Sequence, residues 1–223
     1  MKQNNTLLQR LKNYPGVFEC HITIALPPNQ PEKFVQFDQV CKKLGAKTIV
    51  IQLANGKTPT QPMMSKILIG DANTVLSQVN ALTEGLSSYF SVLRLKIEVK
   101  IKAGISNTAL PETTEEAELL PSSCYFEYHV KMQLEKGRDL EKLRALFAPY
   151  HGYVSQNTLE EDSRWEYRFV TQRFRLSNKT AEEHLSELLV FLKTQNIKVK
   201  KVIREFNIFD SHSDLDAGWS YEN

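Results

Sequence analysis

Residues 18–24 read Phe-Glu-Cys-His-Ile-Thr-Ile, and residues 126–132 read Phe-Glu-Tyr-His-Val-Lys-Met. Phe, Glu and His recur in the same frame. Successive side chains of a strand point to opposite faces. Phe18, Cys20, Ile22 and Ile24 therefore share one face, and Glu19, His21 and Thr23 share the other. In the second copy Phe126, Tyr128, Val130 and Met132 oppose Glu127, His129 and Lys131. A chain of 223 residues carrying such a repeat divides into two equivalent lobes of about 100 residues each.

The flanking sequence supports that division. Residues 1–16 read as a helical arm, with Leu7, Leu8 and Leu11 at helical spacing and Pro15-Gly16 ending it. A strand over Val17–Leu26 stops at Pro27, Pro28 and Pro31. A helix follows from Glu32 to Leu44, then a strand over Thr48–Leu53, a turn at Asn55-Gly56, a loop over Lys57–Met64 and a short strand over Ser65–Ile69. Asp71 or Asn73 caps a second helix whose stripe is Val75, Val79, Leu82 and Leu86. Ser91–Lys102 alternates as a long strand, with Arg94, Lys96, Glu98 and Lys100 on its polar side. After 103–123 the order returns. A strand covers Tyr125–Leu134, a helix Arg138–Phe147, and strands Gly152–Thr158 and Arg164–Leu176. A helix capped by Asn178 leads to a closing strand over Ile197–Phe209.

Two β-α-β-β-α-β units predict an α+β fold, a duplicated ferredoxin-like arrangement with antiparallel sheets. Lobe 1 spans 17–102 and lobe 2 spans 124–210. The arm (1–16), a linker (103–123) and an acidic tail (211–223) lie outside them. Both helices of such a lobe cover one sheet face and leave the other bare. The lobes either set their bare faces together across a cleft or merge into one continuous antiparallel sheet with all four helices on one side.

Composition is that of an ordinary globular protein, 41% hydrophobic and 24% charged. No apolar run reaches the roughly 18–20 residues that span a bilayer, and the polar N-terminus is unlike a secretory leader. No membrane association is expected. Cys20, Cys41 and Cys124 have no paired spacing and suit reduced thiols in the cytoplasm. Charge is unevenly shared: 13 Lys/Arg stand against 6 Asp/Glu up to Leu110, and 15 against 20 from Pro111 onward. That imbalance can help the lobes dock or draw an anionic ligand to the first lobe. Without a dense Lys/Arg block, strong duplex nucleic-acid binding is not expected.

Alternation and duplication together bring Glu19, His21, Thr23, Glu127, His129 and Lys131 to the bare faces. Two facing histidines suit general acid and base roles, since their reference pKa lies near neutrality. Glu19 and Glu127 are placed to orient them, and Thr23 and Lys131 to hold an anion. Lys66 and Arg168, the latter beside Trp165 and Tyr167, are further ligand-binding candidates. The two Glu-His pairs could instead be polar contacts of a non-catalytic binding or scaffold protein, or bind a divalent metal in a hydrolase. The tail from Asp210 fails as a calcium loop, because Leu215 stands at its sixth position, where Gly is needed.

His21-Ile22-Thr23-Ile24 resembles the His-x-Thr-hydrophobic motif of the two-histidine phosphoesterase superfamily. The resemblance implies two lobes facing across a cleft, His21 and His129 as acid and base, and Thr23 as a phosphate contact. The residues and the resemblance together lead to the expectation of a phosphate-containing ligand such as a nucleotide or short RNA end, with no cofactor and no obligatory metal. The second motif departs from the family, since Lys131 stands where Thr or Ser is expected.

Overall fold

The apolar side of each repeated motif is fully buried. Phe18, Cys20, Ile22 and Ile24 in the first copy are at most 1% exposed, and Phe126, Tyr128, Val130 and Met132 in the second are 0% exposed. The computed structural model describes residues 2–14, 16–27, 29–102, 109–160 and 162–218. Pro15, Pro28, the first part of the linker, Glu161 and the tail beyond 218 lie outside the described residues. Helix α1 (Lys2–Leu11) precedes β1 (Gly16–Ile24), α2 (Pro31–Lys43), β2 (Lys47–Leu53), β3 (Thr60–Gly70), α3 (Ala72–Ser87) and β4 (Val92–Lys100). A short α4 (Thr114–Leu119) leads to β5 (Tyr125–Glu135), α5 (Leu140–Phe147), β6 (Tyr153–Asn157), β7 (Trp165–Phe174), α6 (Asn178–Thr194) and β8 (Lys198–Asp210).

The strand order is β4-β1-β3-β2 in the first half and β8-β5-β7-β6 in the second, the order of a split β-α-β unit. All pairings are antiparallel. The halves do not meet as two separate sheets across a cleft. β2 pairs with β6 and β4 with β8, and the eight strands close into one barrel. The continuous-sheet alternative is the one observed, curled until its two ends meet. Twisted strands in a sheet of eight favour such closure. The bare faces become the barrel interior.

The helices lie outside. Phe37 and Cys41 of α2, Val75 and Leu86 of α3, Phe147 of α5, and Leu185 and Leu188 of α6 are at most 1% exposed against the outward strand faces. Arg10 of α1 ties the halves together, donating to Ser123 Oγ at 2.8 Å and to the Ile208 carbonyl at 2.7 Å. Among the described residues no helix is long and apolar enough to cross a membrane.

Three local expectations change. β3 begins at Thr60 and takes in most of the expected loop. Pro62 and the run of polar residues beside it hide the strand, because Pro cannot donate to a ladder. The acidic run of the linker forms α4 behind a capping box, with Thr113 accepting from Glu116 N at 3.1 Å. Ser177 rather than Asn178 caps α6, accepting from Thr180 N at 3.1 Å. Asp71 does cap α3.

Gly152, between α5 and β6, marks a close approach of backbone to core. A Cβ there would sit 2.6 Å from Val170 Cγ1 and 2.9 Å from Phe147 Cβ. Both neighbours are buried, so neither can swing away. Gly152→Ala should cost about 1–3 kcal/mol of stability, read as a lowered urea midpoint. An unchanged midpoint would mean that this corner is loosely packed.

Candidate functional site

The barrel interior holds a cavity of about 490 Å³. The inward positions of β1, β4, β5 and β8 build a polar wall, and those of β2, β3 and β7 contribute most of an apolar one. Ile49, Ile51, Met63, Phe169 and Ile203 line the cavity and are only half-buried although they point inward.

One end is plugged by the 3₁₀ turn Ser213–Asp216 that follows β8. Arg94 donates from Nε to Asp210 Oδ1 and from Nη1 to Asp216 Oδ2, each at 2.9 Å. Arg173 Nη2 and Gln61 Nε2 also donate to Asp216, both at 2.8 Å. Tyr125 donates its hydroxyl to Asp210 at 2.9 Å. Burial would raise the Asp216 carboxyl, but Arg94 and Arg173 hold it down to about 2.

Above the plug runs a belt of ion pairs. Lys96 lies 2.6 Å from Glu98 and also pairs with Glu127, which accepts from Arg173 at 2.9 Å. Burial opposes charge on all three of Lys96, Glu98 and Glu127. Their mutual attraction wins, raising Lys96 and lowering both carboxyls. His21 Nε2 is 3.1 Å from Glu98 and 3.7 Å from Glu19. Glu19 accepts from Ser65 at 2.7 Å and pairs with Lys100 at 2.7 Å. Burial would raise this carboxyl as well, but His21, Lys100 and Ser65 bring it down to about 2.

One carboxyl is left over. Glu205 stands directly opposite Glu127 in the β5–β8 register, where like charges repel. Its close partner is His129, whose Nε2 lies 3.6 Å away, and among the described residues no Lys or Arg forms a salt bridge with it. Burial first, then the charges of Glu98 and Glu19, raise its pKa well above the ordinary carboxyl value. His129 Nδ1 is 2.8 Å from Thr171 Oγ1. Burial, together with the Lys96 and His21 charges, lowers the His129 pKa despite the opposing pull of Glu127 and Glu98. The pair therefore favours a neutral imidazole beside a protonated carboxyl.

Glu19, His21, Thr23, Glu127 and His129 all line the one cavity. Thr23 sits deep near the plug, 2% exposed. Lys66 lines the cavity, but its ammonium donates to the Leu44 carbonyl. Lys131 pairs with Glu160 and lies 4.7 Å above the Tyr167 ring. Arg168 is on the opposite side of β7 from Phe169 and pairs with Glu166, so it is not part of the site. Sequence reasoning missed Arg94, Lys96, Glu98, Arg173, Glu205 and Asp216 as site residues. Alternation in β4 does put Arg94, Lys96 and Glu98 on the same side, but nothing local announces Asp216.

No family model matches the sequence, and no curated protein does. Among solved structures the chain is similar to a chlorite dismutase from Candidatus Nitrospira defluvii, at 16% identity over 93% of this chain and 95% of that one, with a TM-score of 0.29. It is also similar to the acetolactate synthase small subunit of Thermotoga maritima, at 12% identity over 87% and 95%, TM-score 0.28. A heme-binding protein from Thermus thermophilus matches at 8% identity over 87% and 92%, TM-score 0.27.

The geometry corrects the resemblance to the two-histidine phosphoesterases. There is no cleft between two lobes, only a closed barrel. His21 faces Glu98 and Glu19, His129 faces Glu205, and the Lys131 ammonium is engaged by Glu160. A phosphodiester placed between the two histidines would meet a wall of carboxylates. The metal-hydrolase reading finds no support, because among the described residues no group of three or more His, Cys, Asp or Glu side chains is placed to hold a metal ion.

Two outcomes follow from the belt. Lys96→Met leaves Glu98 and Glu127 facing each other without their shared cation, and should cost about 3–5 kcal/mol in chemical denaturation. A neutral effect would mean that water or Arg173 already neutralises them. Glu205 acts in the opposite direction. Its folded-state pKa is raised, so the parent protein loses stability as pH climbs above the unfolded value of 4.5. Glu205→Gln should melt higher than the parent near about pH 7.5, with the gain vanishing near about pH 4. A lower melting temperature at the higher pH would show that Glu205 is ionised and paired.

Proposed function

We propose that the barrel is a binding chamber for a small amphipathic anion. Its apolar body would lie against Ile49, Ile51, Met63, Phe169 and Ile203, and its charged head would face the end away from the plug. The observation that carries this reading is the set of inward apolar side chains left half-exposed around a cavity of about 490 Å³. Folding normally closes such surface, and an apolar ligand would bury it. Lys47 and Lys201 also line the cavity and make no ion pair among the described residues, which suits an anionic head. The neutral His129 and the protonated Glu205 would offer the ligand body an acceptor and a donor without the cost of desolvating another charge.

Heme does not enter this reading. Heme iron is held by an axial His, Cys, Met or Tyr, and a histidine in that role must have a ring nitrogen free to reach the iron. Here the ring nitrogens of His129 face Thr171 and Glu205, and His21 stands among Glu19, Glu98 and Lys96. Cys20, Cys41 and Cys124 are buried and unpaired with one another, which suits the reducing cytoplasm.

The dye 1-anilinonaphthalene-8-sulfonate, a flat apolar anion, tests the chamber. The parent should bind it saturably with a rise in emission. Ile51→Trp fills the apolar wall and should weaken binding at least roughly tenfold, and Lys201→Glu should weaken it to a lesser degree. Tyr89→Trp on the outer surface should change nothing. Equal binding by the parent and the folded Ile51→Trp variant would place the dye elsewhere and remove the proposal.

A further inference from the structure

The inward face of the barrel continues past the chamber. On β1 and β3, Glu19 and Ile67 lie opposite each other at the cavity rim, and one step further the same face carries Val17 opposite Ile69. Val17 is 45% exposed, Ile67 43% and Ile69 65%. On β7 the inward face likewise runs on from Phe169 to Tyr167 and Trp165, which are half-buried, with exposed Leu159 in the preceding loop. The start of β1 and the start of β7 lie at the same barrel end, the one away from the plug. In the ring order β1-β3-β2-β6-β7-β5-β8-β4, the pair β1-β3 stands diametrically opposite the pair β7-β5. The barrel therefore ends in two apolar lips facing each other across the cavity mouth.

The gaps between the lips are basic. Lys47 begins β2, and Lys198, Lys200 and Lys201 begin β8, while Lys100 at the end of β4 is paired with Glu19. The three lysines of β8 are exposed. Isolated apolar side chains on a surface mean little, but two opposed clusters at one end, flanked by lysines, form a patch of consistent chemistry.

We infer that this end of the barrel docks onto an anionic lipid surface. Val17, Ile67, Ile69 and Leu159 would enter the boundary between headgroups and acyl chains, with Trp165 and Tyr167 at headgroup level. The lysines between the lips would meet the lipid phosphates. A nucleic acid fits less well, because the most exposed lip is aliphatic and has no ring on which a base can stack. Docking of this kind needs no membrane-crossing helix. It goes beyond the chamber reading and holds with or without a chamber ligand.

Flotation of the full chain with vesicles tests it, comparing phosphatidylcholine alone with phosphatidylcholine mixed with phosphatidylserine. The protein should float with the mixed vesicles and be released as salt rises. The double variant Val17→Asp/Ile69→Asp and, separately, Lys198→Glu/Lys200→Glu should each weaken binding at least roughly tenfold. Ile51→Trp, which blocks the chamber dye, should float as the parent does, which separates this idea from the chamber itself. The charge variant keeps the test valid if the lip variant fails to fold. Three results would overturn the proposal: no flotation with either vesicle, equal flotation with neutral vesicles, or capture by single-stranded oligouridylate while vesicles are ignored.

Discussion

A four-stranded sheet with its helices on one side has two unpaired edges and one bare face, and neither is tolerable in a small protein. This chain resolves both at once by joining two such sheets edge to edge, β2 to β6 and β4 to β8. Closure removes the edges and encloses the faces. It also carries a consequence for chemistry. The pleat of β1, β4 and β5 sends Glu19, His21, Arg94, Lys96, Glu98, Glu127 and His129 inward together. Charges in so confined a space must be paired, and the belt centred on Lys96 is the pairing that the closure requires.

The pairing is uneven, and the unevenness gives the chamber its character. The β4–β8 seam shares five residue pairs, whereas β2–β6 shares three. The longer seam stands among the ion pairs, and the shorter one borders the apolar side chains of β2. A ligand inside would meet salt bridges on one hand and Ile49 and Ile51 on the other. Glu205 lies at the edge of the belt, outside salt-bridge reach of its cations, and His129 is the group it meets. A fully matched belt would be electrostatically inert near neutrality. The His129–Glu205 pair is where this one is left unmatched, with the Glu205 carboxyl raised and the His129 imidazole lowered by burial.

Much of this was legible in the chain. Alternation around residues 18–24 and 126–132 placed the buried and the inward side chains of β1 and β5, and the repeat of β-α-β-β-α-β carried the strand content of each half. Closure was not legible, because edge pairing is made by backbone groups that every residue possesses. For the same reason the partners of each charged side chain stayed hidden. His21 in a His-x-Thr frame looks like a catalytic residue until the register sets Glu98 and Lys96 beside it. β3 was obscured by Pro62, and Asp216 by lying in an acidic tail with no periodicity at all.

The duplication also bears on why the described residues seal one end of the barrel and not the other. β1 and β5 run in opposite directions, as the three antiparallel steps through β4 and β8 require. The relation between the halves therefore exchanges the two barrel ends, and a perfect repeat would make those ends alike. The segments after β8 and after β4 break the symmetry. Residues following β8 fold back so that Asp216 seals one end against Arg94, Arg173 and Gln61. The described residues following β4 run along the outside instead, where the Ala109 carbonyl accepts from Tyr14 and the Pro111 carbonyl from Asn178 N. Lysines from both halves consequently gather at the end that the tail does not seal. The basic and acidic halves of the sequence thus become something different in the fold: a carboxylate-bearing plug at one pole and a lysine-flanked, apolar-lipped mouth at the other.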